Sequence, residues 1–231
     1  MRTTPGQESK AEGDHMNKIK RYLVVVGVFA LVNVVLTIIN ILQNGIGGYK
    51  GRSVKEILGV PPDKATLQDI QKLNKAQVMQ LFYAAPAPDF AGMNGEYRAQ
   101  LLPLGVLAPS AGYYTHHFFG PGHWDGKAFF PFEKNKGWGY NIFSKNAKVA
   151  RTRKFNSYMG PSTIDKKPAF HLDYSPYNSG IVHSMHDEVR KINDNLYICM
   201  GYMALGGGAI NPAPFVLMGP PTPWVGFAEG K

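Results

Sequence analysis

The sequence predicts a mainly β protein, an antiparallel barrel or sandwich carried behind an N-terminal membrane-spanning helix. Three observations lead there. Residues 22–42 form an uninterrupted stretch of 21 residues without a charge. Downstream of Pro88, short alternating runs follow one another, separated by turn clusters at fairly regular spacing, which is the pattern of an all-β domain. Gly (26) and Pro (17) are both frequent, while Tyr (12) and Phe (13) favour strands.

The apolar stretch comes first. Its polar members are Asn33, Thr37 and Asn40. As a helix it is about 30 Å long, the thickness of a bilayer core. It has no polar face of the kind a soluble core helix shows. Its length exceeds the apolar core of a cleaved signal peptide and no A-x-A site follows, so an uncleaved signal anchor is expected. Lys10, Lys18, Lys20 and Arg21 precede it. Lys50, Arg52 and Lys55 follow closely, and the positive-inside rule favours residues 1–21 as a cytoplasmic basic tail with the C-terminal domain outside. Asn33 and Asn40 lie near one helix face, and a homodimer through the transmembrane helix is one expected partnership.

Residues 43–85 read as a linker followed by short helices. Gly45, Gly47, Gly48 and Gly51 loosen the chain. Ser53 with Glu56 fits a capping box, Thr66 with Asp69 opens another turn, and Asn74 caps a helix over 75–84. Leu67, Ile70, Leu73, Val78 and Leu81 fall near helical spacing. This helical hairpin is expected to pack on the β domain or to close one end of it.

Residues 86–231 then form that domain. Strands are expected at 96–102, 113–119, 127–132, 138–143, 149–158, 169–174, 181–192, 196–203 and 214–218. Asp194-Asn195 reads as a hairpin turn, and the segment from Gly219 to Phe227 as an extended tail packed by Trp224.

Composition narrows the function. Lys and Arg total 25 against 16 acids, a net charge of +9. Beyond residue 43 the excess is still about +7, which suits an anionic lipid surface. With a membrane anchor present, nucleic acid is not an expected partner. The single cysteine, Cys199, excludes an intramolecular disulfide framework and reads as a buried thiol. No P-loop, dinucleotide fingerprint, G-x-S-x-G elbow or H-E-x-x-H is present. Neither a metal site nor a cofactor is expected.

The order of Phe90-Ala-Gly-Met-Asn-Gly-Glu-Tyr-Arg98, His123-Trp-Asp-Gly-Lys-Ala-Phe129, Gly139-Tyr-Asn-Ile-Phe143, Ser162-Thr-Ile-Asp165 and Leu172-Asp-Tyr174 resembles the lipocalin-like proteins of the GXWXG type. It covers about residues 86–204. Where those proteins carry Gly-x-Trp-x-Gly, this chain has Gly95-Glu-Tyr-Arg-Ala99. The resemblance implies a calycin-like barrel around a hydrophobic small molecule, and it carries over no catalytic residue.

Candidate site residues follow from strand parity. Arg151 and Arg153, two apart, are expected on one face: if that face is interior they could clamp a carboxylate or phosphate, and if exterior they join Lys145, Lys148, Lys154, Lys166 and Lys167 in a basic surface near the bilayer. Tyr97, Trp124 and Tyr174 are further candidate ligand-binding residues. His171 and Asp173 share a face and could act as an oriented base, with His186 nearby in the second run. Glu188 and Arg190 read as a local ion pair. The expected function is a membrane-anchored binding protein for a hydrophobic small molecule or lipid. The alternatives are an enzyme of isomerase, cyclase or hydrolase type acting on an apolar substrate, or a structural membrane-complex subunit.

Overall fold

A computed structural model describes residues 5–227, with the side chains of 1–14 and 17 excepted. Most of the expected basic tail therefore lies outside the described side chains. The chain divides into two compact units, Met1–Ile39 and Asn40–Lys231.

The first unit is helical. Helix α1 spans Pro5–Leu42. Its segment Lys18–Leu42 is long and apolar enough to cross a membrane. Within it the Asn33 amide donates to Phe29 O (2.8 Å), so this polar group is satisfied by its own helix.

The second unit is the barrel and its supporting helices. Short helices α2 (Val54–Leu58), α3 (Leu67–Gln71) and α4 (Lys75–Ala84) precede the strands. The sequence fixes their starts: capping boxes form at Ser53–Glu56, Thr66–Asp69 and Asn74–Gln77, each satisfying otherwise orphaned amides.

Among the described residues, eight strands close into one antiparallel barrel with neighbours in sequence order. They are β1 (Gly95–Leu101), β2 (His123–Glu133), β3 (Lys136–Lys145), β4 (Lys148–Pro161), β5 (Pro168–Asp173), β6 (Met185–Asn193), β7 (Leu196–Met203) and β8 (Ala213–Thr222). Closure comes from β1 pairing with β8, for example Ala99 with Leu217. It leaves no open sheet edge. Helices α5 (Ala108–His117) and α6 (Gly180–His183) sit in the β1–β2 and β5–β6 connections.

Up-and-down order sorts the connections into two ends. The loops 102–122, 146–147, 174–184 and 204–212 share one end, here called the upper rim. The turns 134–135, 162–167 and 194–195 share the lower one.

Two apolar cores result. Inside the barrel, Phe129, Phe143, Phe155, Phe170, Leu172, Val189 and Phe215 interlock. Gly139 makes room for this filling: a Cβ there would sit 2.1 Å from the Phe155 ring. Outside, Ile70, Val78, Leu81 and Phe82 of α3 and α4 cover Ile192, Leu196, Ile198, Met200 and Val216. Strand β7 is thus buried on both faces, which explains its nearly continuous apolar run Leu196-Tyr-Ile-Cys-Met200. The expected helical hairpin therefore buttresses the barrel wall. Gly219–Thr222, expected in the tail, continue β8 instead, and beyond them Trp224 packs on Tyr140 and Phe130.

Two strand expectations are corrected. Residues 113–119 are not a strand: Ala108–His117 is helix α5, entered through Pro109 near its start. Its aromatic residues mimic alternation because Tyr113 and Phe118 are exposed while Tyr114 and Phe119 turn toward the interior cluster. The expected strand 181–192 begins late. Gly180, at φ +61°, opens the single turn α6, and β6 starts at Met185.

Candidate functional site

The barrel interior is apolar and rich in aromatic rings, and one buried charge pair interrupts it. Lys127 on β2 and Asp187 on β6 meet there, Nζ to Oδ2 2.9 Å, with side chains 2% and 3% exposed. Lys127 also donates to Asn141 Oδ1 (2.7 Å) and to the Tyr174 hydroxyl. Tyr174 donates to Asp187 Oδ2 (2.9 Å), and Trp124 Nε1 donates to Asn141 Oδ1 (2.9 Å). Five rings surround the ammonium, with centroids from 5.2 Å (Trp124, Tyr174) to 5.9 Å (Phe119).

Local sequence explains how these groups arrive. A bulge at Asp125 between the Trp124–Phe143 and Gly126–Ile142 pairs shifts the strand by one residue. Trp124 and Lys127, three apart, therefore both face inward. Tyr174 continues the inward parity of Phe170 and Leu172.

Burial shapes the electrostatics. It pushes the Lys127 ammonium below the ordinary lysine range, and Asp187 pulls it back. It pushes the Tyr174 hydroxyl well above the tyrosine range, with Asp187 adding to the shift. Cys199 is buried, and its thiol is likewise pushed well up by desolvation. The cluster is consequently a balanced ion pair within a saturated hydrogen-bond network. Lys127 already donates to Asn141, Tyr174 and Asp187, and Tyr174 to Asp187, so a ligand oxygen would bond here only by displacing one of these partners.

The upper rim closes over this cluster through Phe119. Its ring meets Phe143 (5.4 Å) and Tyr174 (6.1 Å), and Arg153 Nε donates to its carbonyl (2.6 Å). Helix α5, which leads into it, has no buried residue of its own. At the lower end lies a separate cavity of about 190 Å³, lined by Pro88, Asp89, Gly92, Tyr97, Lys191, Asp194, Tyr197 and Pro221.

Of the expected ligand-binding residues, Trp124 and Tyr174 belong to the interior cluster. Tyr97 stands at the lower end, edge-on to Tyr197 at 5.6 Å. Arg151 and Arg153 do not share a face. The β3–β4 register slips between Gly139 and Asn141, and Arg153 adopts φ +56°, so a bulge separates them. Arg151 turns outward to Glu96 (2.6 and 3.2 Å), where Tyr140 also donates to Glu96 (2.6 Å). Burial, followed by the bond to Glu96, pushes the Tyr140 hydroxyl up to about 12.

His171 and His186 come together on the outer wall, Nδ1 to Nε2 2.8 Å, with Tyr158 stacked on His171 at 4.9 Å. Asp173 accepts from the Ser175 amide instead (2.9 Å). Glu188, beside this pair, accepts from the Thr163 amide (2.8 Å) and the Tyr202 hydroxyl (3.0 Å). Arg190 bonds Asp165 (2.7 Å) and lies over Phe82, so the expected Glu188–Arg190 pair is replaced by two longer-range contacts. Among the described residues, no three His, Cys, Asp or Glu side chains form a metal-holding group.

Sequence reasoning missed Lys127, Asp187 and Asn141 as a unit. Lys127 does share parity with Phe129, but Ala128 and Phe130 on the other face are apolar too. The pattern alone does not say which side is inside.

No protein-family model matches the chain, and no curated protein matches it. Among solved structures, a protein from Thermomonospora curvata is similar over 71% of this chain and 94% of its own, at 12% identity and a TM-score of 0.41. The class defined by the fold is a closed eight-stranded antiparallel barrel with an N-terminal apolar helix.

Proposed function

We propose that this chain is a membrane-tethered, lipocalin-like binding protein that takes a small apolar molecule carrying one neutral polar head. The observation that carries the reading is Lys127. A fully buried lysine–aspartate pair is weak support for stability, since apolar replacements of such pairs are often neutral or better. Perturbed buried ionisable groups concentrate where ligands are handled. The pair is already balanced, so an anionic head would leave a net buried charge, whereas a carbonyl or hydroxyl would not. Entry runs past Phe119, whose ring closes over the cluster together with the half-buried Tyr114. The basic residues before the apolar helix support an extracytoplasmic barrel.

The test uses the full chain in detergent micelles. A fluorescent fatty alcohol and the matching fatty acid are titrated into wild type, Phe119→Ala and Lys127→Met. Uptake of the alcohol in preference to the acid, enhanced by Phe119→Ala and lost with Lys127→Met, is expected. No uptake by wild type or Phe119→Ala, with no lipid co-purifying, rejects the reading. It would favour a structural membrane-complex subunit, which the filled interior also supports.

A further inference from the structure

The two ends of the barrel differ in chemistry. The upper-rim loops 102–122, 146–147, 174–184 and 204–212 contain no Lys, Arg, Asp or Glu. The lower turns carry Lys134, Asp165, Lys166, Lys167 and Asp194. The uncharged loops also expose large apolar side chains. Leu205 is 79% exposed, Ile210 67%, Phe118 63%, Tyr113 60% and Ile181 44%. Isolated exposed apolar residues are ordinary, but three separate loops presenting them at one end form a patch.

Two further observations say what covers it. The last turn of α1 belongs to the barrel unit and is fastened at this end. The Asn40 amide donates to Asn211 Oδ1 (2.6 Å), the Leu107 amide donates to Asn40 Oδ1 (3.3 Å), and the Asn44 amide donates to Ile210 O (3.0 Å). Within the barrel unit, Asn40 at the end of the apolar stretch and Asn44 just after it are therefore fixed beside the patch. Lys145 and Lys148 flank the β3–β4 hairpin there and are exposed. The carboxylates nearest this rim are already engaged, Asp125 by His123 (2.9 Å) and Asp173 by the Ser175 amide (2.9 Å).

We infer that the upper rim is a membrane-docking face whose occupant is an anionic lipid bilayer. The uncharged loops seat in the interfacial zone and Lys145 and Lys148 meet lipid phosphates. This rests on the tether reading. It adds that the Phe119 closure opens toward lipid, so ligand is exchanged directly with the bilayer. Amphipathic surfaces bind through buried apolar area and attraction to anionic lipid together.

The experiment uses the full chain reconstituted into phosphatidylcholine vesicles with and without phosphatidylserine. A polarity-sensitive fluorophore is placed on Leu205→Cys or, at the lower turn, on Lys134→Cys; the native thiol is buried. Nitroxide-labelled lipids are expected to quench the probe at 205 several-fold more than at 134. Lys145→Glu with Lys148→Glu is expected to reduce that difference only where phosphatidylserine is present. A probe at 205 as solvent-exposed and unquenched as that at 134 overturns the inference. So does a charge reversal without effect on the anionic vesicles. A probe shielded from water and nitroxide alike, with crosslinks forming between copies at 205, overturns it in favour of a second copy of the chain. Alkaline extraction separates the two failures. A chain released by the wash rejects the tether, while a retained chain with an unquenched 205 probe rejects the rim alone.

Discussion

Lys127 and Asp187 reach each other across the lumen, from strands that are not neighbours in the barrel, and meet at 2.9 Å without solvent. The contact links opposite walls that backbone hydrogen bonds connect only by going around the ring. Its partners are Asn141 from β3 and Tyr174, the first residue after β5, so three strands and an upper-rim loop share one polar knot.

Breaking this knot on one side should be severe. Lys127→Met leaves Asp187 buried and uncompensated, and a loss of about 3–5 kcal/mol is expected. The double replacement Lys127→Met with Asp187→Leu should recover most of that loss. Chemical denaturation of the full chain in micelles checks both. A double variant no better than the single one would show that the charges themselves are not the issue.

The outer-wall histidines should make stability depend on pH. Burial lowers His171, against an upward pull from Glu188, and burial followed by repulsion from His171 lowers His186. With folded values below the ordinary value near 6.5, the unfolded chain binds more protons just beneath it. Their stabilising contribution is therefore complete above about pH 6.5 and is lost as pH falls through the folded values. His186→Gln should flatten the difference between denaturation midpoints at pH 7 and pH 5, measured against wild type. An equal difference in both proteins would exclude this pair as its source.

Gly139 should tolerate no side chain. A Cβ there would approach the Phe155 ring at 2.1 Å and Ala128 O at 2.4 Å. Overpacking of this kind costs about 1–3 kcal/mol. Gly139→Ala should lower the denaturation midpoint accordingly, whereas Gly112→Ala on α5, with nothing within 4 Å, should not.

Much of the architecture could be read from local chemistry. The Ser53–Glu56 box announced α2, the Thr66–Asp69 turn and the Asn74 cap marked the starts of α3 and α4, and the Asp194-Asn195 turn separated β6 from β7 where expected. These signals are contained within a few residues. The site was less legible because it depends on bulges. One at Asp125 brings Trp124 and Lys127 to the same side, and one at Arg153 sends two arginines apart. Both reverse parity without leaving a distinctive residue type. Helix α5 was obscured differently, since Tyr113, Phe118 and Phe119 look like strand residues when their exposure is unknown.

Closure of the ring by β1 and β8 also sets an order of events during synthesis. Strand β1 ends at Leu101, while its second neighbour does not begin until Ala213. Every intermediate before that point exposes two unpaired strand edges, and pairing across so long a separation is slow. A chain cut short before Ala213 would keep those edges and recruit strands from other molecules. The last strand is thus the one that leaves the sheet without an edge.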